Sequence, residues 1–272
     1  MKRSWFAYPY SLWMVIFTIA PMIFVVYFAL TDTSGALSLA NMAAVGKDTY
    51  LRILWRSLYL AVICTLICLL LGYPAAYFLA SKDFNRNQTL FVLILLPMWM
   101  NFLLRTYAMM SLLENNGIIN TVLEKLGLPK QTLIGTEGAV LLGMVYNYLP
   151  FMILPIYTVL KKLDRRVIEA AEDLGANPIR VFTRVVVPLS IPGVMSGITM
   201  VFMPAVTTFA ISTMLGNGMV YLVGDMIDNY FKGASLNYNV GSALSLVLMV
   251  MIVISIGLLR RVDPKGEGGG MW

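Results

Sequence analysis

The stretch Glu169–Gly193, EAAEDLGANPIRVFTRVVVPLSIPG, is the longest run of dense charge in a chain that is otherwise mostly apolar. It lies between two long hydrophobic segments, Ala139–Leu160 and Leu189–Leu215. A chain that leaves the oil twice and keeps a compact charged element between the exits is expected to touch something in the water there.

The remainder of the chain supports that reading. Of 272 residues, 59% are hydrophobic and 12% are charged, with a mean hydropathy of +0.77. That leaves too little polar surface for a soluble globule. A bilayer core of about 30 Å and a helical rise of about 1.5 Å per residue require roughly 20 apolar residues per crossing. Six segments qualify: Tyr10–Leu30, Ser57–Ala80, Leu90–Leu113, Ala139–Leu160, Leu189–Leu215 and Val240–Leu259. None carries more than one formal charge, and a β-barrel would instead show alternating segments of about ten residues. The expected fold is an all-α membrane protein: one domain over 1–272, six transmembrane helices, a polar loop at about 161–188 and a flexible GEGGG-containing tail at 263–272. The first span has no small-residue cleavage signal after it and is expected to be a retained anchor.

Basic residues set the expected orientation. One side of the bilayer holds Lys2, Arg3, Lys82, Arg86, Lys161, Lys162, Arg165, Arg166, Arg180, Arg184, Arg260, Arg261 and Lys265, against Lys47, Arg52, Arg56, Lys125, Lys130 and Lys232 on the other. The richer side is the cytoplasm, so both termini are expected inside. The net charge of +6 is then mostly topology, and no nucleic-acid partner is expected.

Some chemistry is excluded by composition. Histidine is absent, which removes the commonest general base, the usual zinc ligand and the Ser-His and Cys-His nucleophile pairs. Cys64 and Cys68 fall four apart on one helical face and read as small packing residues. There is no GxxxxGK[ST] phosphate loop, so any ATP-driven work must draw on a partner.

Within the charged stretch, Val167, Ala170, Ala171 and Leu174 recur at helical spacing, with Arg165, Arg166, Glu169, Glu172 and Asp173 on the other faces. Gly175 suits a left-handed stop. Asn177-Pro178 reads as an N-cap and first-turn proline of a second helix that runs to Pro188, with Arg180 and Arg184 on one of its faces. A helix merely lying on headgroups would not favour the acidic cluster Glu169, Glu172 and Asp173.

These residues resemble the EAA motif of bacterial ABC-importer permeases: EAA, three residues, Gly, nine residues, Ile-x-Leu-Pro. Glu169-Ala170-Ala171, Gly175 and Pro188 keep the spacing, while Val185 and Val187 replace the Ile and Leu. The segments LGYPAAYFLA (Leu71–Ala80), LLPMWMNFLLRTYAMMSLL (Leu95–Leu113) and YNYLPFMILPIYTVLKKLDRRVIEAAEDLGA (Tyr146–Ala176) resemble the first permease subunit of spermidine/putrescine importers. The resemblance implies the permease fold of type I ABC importers, in the bacterial inner membrane. It also implies a second permease, two ATP-binding subunits that hold ATP and Mg²⁺, and an extracytoplasmic solute-binding protein. Glu169, Ala170, Ala171, Asp173, Gly175 and Pro188 would couple to the ATPase. No catalytic residue, metal or cofactor is expected in this chain.

A polyamine wants aromatic faces and carboxylates. Trp99, Tyr107, Tyr146, Tyr148 and Thr208 are candidates for the path, with Asp225 and Asp228 in the outer loop after the fifth span. Arg105, the one charge deep in a span, would repel a cation, and is expected to be structural, tied to Asn101 or a backbone carbonyl. Related permeases carry other small solutes on this scaffold. A secondary transporter would also have six spans, but would have no need of EAA spacing and would be expected to carry inverted repeats or intramembrane carboxylates.

Overall fold

A computed structural model of the chain describes residues 8–32, 34–80, 88–233 and 236–262; the expected tail at 263–272 and the basic residues Lys2, Arg3, Lys82, Arg86 and Lys265 lie outside them. The described residues form twelve helices. They are α1 (Tyr10–Ala29), α2 (Ala40–Val45), α3 (Asp48–Ala80), α4 (Gln88–Trp99), α5 (Phe102–Leu113), α6 (Ile118–Lys125), α7 (Glu137–Lys162), α8 (Arg165–Asp173), α9 (Pro178–Val206), α10 (Ala210–Gly216), α11 (Val223–Lys232) and α12 (Tyr238–Val262).

Five of these, α1, α3, α7, α9 and α12, are long and apolar enough to cross a membrane. The expected third span, Leu90–Leu113, differs from a simple crossing: it turns by 100° between Trp99 and Phe102. The cause is local. Pro97 has no amide to donate, and Asn101 is extended at ψ 127°, where its side chain accepts hydrogen bonds from the amides of Leu103 (2.8 Å) and Leu104 (3.4 Å). Asn101 therefore starts a new helix instead of continuing the old one. Asn101→Ala is expected to cost about 1 kcal/mol, read as a lower thermal midpoint of the detergent-solubilised protein; an unchanged midpoint would mean the bend holds without the cap.

The expected fifth span breaks as well. Helix α9 ends at Val206, two residues past Pro204, and Thr207–Phe209 separates it from α10. By contrast α7 runs unbroken through Pro150 and Pro155, and α9 through Pro188 and Pro192. The second helix of the charged stretch accordingly does not stop at Pro188: it is the first part of the fifth crossing, entered through a π-helical turn at Phe182–Val186.

The core is built by α3, α7 and α9, which pack on one another, with Cys64 and Cys68 buried among them as packing residues. Gly193 and Gly197, four apart on α9, face α7, and a Cβ on Gly193 would stand 2.9 Å from the Pro155 carbonyl oxygen and 3.1 Å from the Ile156 Cα. The two backbones meet because glycine leaves room. Helix α1 packs on α12 and is otherwise exposed along its apolar length.

Candidate functional site

Two places gather the chemistry. The first is the charged stretch. Asp164 accepts from the Arg166 amide at 3.0 Å and starts α8. At the other end Gly175 takes φ +79°. Its amide donates to Glu172 O at 2.8 Å, and the Ala176 amide donates to Ala171 O at 3.1 Å, the paired bonds of a Schellman stop. The space around Gly175 is open, so backbone conformation, not crowding, demands glycine there. Asn177 then accepts from the Arg180 amide at 2.8 Å, with Pro178 in the first turn of α9.

Of the apolar stripe expected on α8, Val167, Ala170 and Leu174 point away from the protein and Ala171 packs on it. Leu174 is 89% exposed, Val167 and Ala170 are exposed, and Ile179 beyond the turn is exposed too. Ile168, Ala171 and Ala176 make the contact with the bundle instead. Glu169, Glu172, Asp173 and Pro188 are exposed, and none of the three acids takes part in a salt bridge among the described residues. The result is an outward face of leucine, isoleucine and valine edged with carboxylates. An apolar patch with a polar rim is the usual form of a protein-docking surface.

This element is joined to the bundle by aromatic contacts that spacing did not disclose. Phe182, in the π-helical turn, meets Tyr73 and Tyr77 of α3 edge to face, with ring centroids 5.9 and 5.2 Å apart. The Tyr73 hydroxyl lies 2.8 Å from Ser190 Oγ of α9. A displacement of α8 thus has a packed route to two crossings.

The second place is a cavity of about 540 Å³ beside the α4–α5 bend. It is lined by Met98, Met100, Phe102, Arg105, Asn147, Tyr148, Phe151, Met200, Pro204, Thr207, Thr208, Phe209 and Ala210. Tyr148, Thr208 and Arg105, singled out from sequence, meet here. Trp99, Tyr107 and Tyr146 do not; they are exposed on the outside, Trp99 at 85%. Arg105 is not tied to Asn101, which is occupied as a cap. Its Nε and Nη1 are buried without an acceptor among the described residues, as is Asn147 Oδ1 without a donor. Asn147 donates from Nδ2 to Gly143 O (2.9 Å) and Thr106 Oγ1 (3.4 Å). It is a cavity residue that sequence reasoning missed, since an asparagine in an apolar helix carries no periodic signal.

Asp225 and Asp228 are not in a loop but on α11. Asp225 is buried, accepting from Thr213 Oγ1 at 2.6 Å and from the Leu222 amide at 2.9 Å, and so is used up in holding α10 to the start of α11. Asp228 pairs with Lys232 at 2.7 Å on the surface. Burial raises the Asp225 carboxyl above its ordinary range, opposed by the bonds from Thr213 and Leu222. A carboxyl raised on folding favours the folded state while protonated, and that contribution is lost as pH rises above the ordinary carboxylate range of about 4. Asp225→Asn is therefore expected to flatten the fall in thermal midpoint between mildly acidic and neutral pH; an unaltered slope would show that another group causes it.

Comparison with known proteins locates this geometry. A family model described as "binding-protein-dependent transport system inner membrane component" matches residues 69–266. The spermidine/putrescine transport system permease protein PotB of Haemophilus influenzae is 36% identical over 259 residues, covering 92% of this chain and 90% of that protein. The PotB protein of Escherichia coli K12 is 34% identical, covering 92% and 94%. Among solved structures, a bacterial ABC transporter that imports the acidic polysaccharide alginate superposes with a TM-score of 0.81 at 15% identity, covering 96% of this chain and 97% of that one. That likeness shows the fold alone.

Proposed function

Because the chain belongs to the family of binding-protein-dependent transport system inner membrane components, we propose that it forms one half of the solute pathway of an ATP-driven polyamine importer. It is a multi-pass membrane permease and a transport subunit, not an enzyme. The observation that carries the coupling half of this reading is the outward apolar and acidic face of α8, stopped by a left-handed Gly175. Glu169, Ala170, Ala171, Asp173, Gly175 and Pro188 belong to the part that meets the ATP-binding subunit, which supplies the ATP and Mg²⁺. Closure of two such subunits would displace α8, and the Phe182–Tyr73–Tyr77 contact would pass the displacement to α3 and α9.

The remaining partners are a second permease and an extracytoplasmic solute-binding protein, with both termini of this chain in the cytoplasm, as the 13-to-six asymmetry of basic residues favours. Spermidine or putrescine is the cargo, on the strength of about one-third identity to two permeases of that name across nine-tenths of the chain. Tyr148 and Thr208 would line the path from the cavity; Trp99, Tyr107 and Tyr146, being exposed, would line it only from the face that meets the second permease. Asp225 and Asp228 act within the chain, so the carboxylates a polycation needs come from elsewhere in the complex. The deciding experiment measures binding of spermidine, putrescine, an amino acid and a sugar to the cognate solute-binding protein, then uptake by the reconstituted complex. Binding and uptake of polyamine alone are expected. Failure to bind any polyamine would overturn the cargo while leaving family and fold in place.

A further inference from the structure

Arg105 poses a problem that the described residues do not solve. Its guanidinium is permanently charged. The residue is 5% exposed, and Nε and Nη1 are buried with no acceptor among the described residues. No carboxylate lines the cavity that it shares with Asn147 and Tyr148. Asp225 and Asp228 are committed elsewhere, Asp225 to Thr213 and Leu222, and Asp228 to Lys232. A buried cation without a counter-charge is strongly unfavourable, and no described residue supplies the acceptor, which points to another molecule.

Depth narrows its source. Asn147, across the same cavity, stands ten residues into α7, or about 15 Å from the helix start at 1.5 Å per residue. That is the middle of a hydrocarbon core of about 30 Å, which lipid phosphates do not reach. Met100, which lines the cavity, is exposed, and so are its neighbours in the chain Trp99, Leu103 and Leu104 around the 100° bend. A wide apolar rim around a buried unpaired charge is the form of an interface anchor. A substrate ammonium cannot satisfy Arg105, since both are cations.

We propose that Arg105 receives a carboxylate of the second permease subunit, forming an intersubunit ion pair at mid-membrane inside this cavity. This rests on the reading of the chain as half of a two-permease pathway. The pair has a use in that setting: with no cargo present Arg105 neutralises the partner's carboxylate, and an arriving ammonium group competes for it, so the guanidinium stands in for the substrate in the resting state. The carboxylate stays ionised throughout and no proton need move.

The test uses the intact complex of both permeases, the ATP-binding subunits and the solute-binding protein, in a Cys64→Ala, Cys68→Ala background. Arg105→Cys is combined in turn with cysteine at each Asp and Glu in the spans of the second permease, and each pair is oxidised. One pair is expected to cross-link. Arg105→Glu in otherwise native complex is expected to lower uptake about tenfold or more, and reversal of the cross-linking acid to Arg to restore most of it, as for a coupled charge pair. Absence of any cross-link, or a loss that the reversed charge does not repair, would overturn the proposal. So would uptake that rises with phosphatidylglycerol content in proteoliposomes and loses that dependence in Arg105→Gln, which would assign the acceptor to lipid. The cross-link is read without any cargo, so failure of the polyamine assignment leaves this result intact.

Discussion

Gly175→Pro is expected to abolish solute uptake while the chain still inserts and assembles. Proline fixes φ near −65°, whereas Gly175 sits at +79°, and proline also deletes the amide that donates to Glu172 O. Both Schellman bonds fail, and the direction in which Leu174 and Ile179 are presented changes with them. Since an added side chain meets nothing there, the damage is confined to the backbone turn. Gly175→Ala should then be milder, costing about 1–2 kcal/mol for a left-handed alanine. Glu169→Lys, which leaves the backbone alone and reverses one exposed charge, should also lose coupled uptake. The measurement is solute-stimulated ATP hydrolysis together with uptake in proteoliposomes; full retention of both in Gly175→Pro or Glu169→Lys complex would remove the coupling role of this turn.

Gly193→Leu is expected to be the most damaging change within the bundle. Even a Cβ there would lie 2.9 Å from the Pro155 carbonyl oxygen and 3.1 Å from the Ile156 Cα, which are backbone atoms and cannot rotate aside. Helices α7 and α9 would have to separate, at the upper end of the roughly 1–3 kcal/mol typical of overpacking, or beyond it. The expected readout is a sharp loss of folded protein after extraction and a lower thermal midpoint, with Gly193→Ala intermediate. Native yield and midpoint in Gly193→Leu would show that the two helices do not pack as described.

Much of this was legible beforehand. Apolar length marked every crossing, because the bilayer demands it wherever a helix passes. The turn at Gly175, the cap at Asn177 and the proline at 178 were legible because each is a local backbone event with its own residue chemistry. The breaks were not. Pro97 and Pro150 look alike in sequence, yet α4 ends two residues after one and α7 continues through the other. The difference is that Asn101 offers a new cap after Pro97, while α7 is packed against both α3 and α9 and stays continuous through its prolines. Leu174 was open for a related reason: helical spacing finds an apolar stripe but not which neighbour it faces. Asp225 misled because a short acidic segment between spans reads as solvated loop, and only its burial against Thr213 and Leu222 reveals a structural carboxylate.

The amino-acid sequence by itself determined the class of the protein, its number of apolar segments and the charged two-helix element around Gly175, because hydrophobic length and backbone turns depend on residues close together in the chain. Tertiary structure alone decided which polar groups share a cavity and which are spent elsewhere. Arg105 and Asn147 are 42 positions apart and line one cavity beside the bend after Trp99, where Arg105 Nε and Nη1 and Asn147 Oδ1 lack partners among the described residues. Whether a buried charge is satisfied depends on the atoms around it in space, and no spacing along the chain records that.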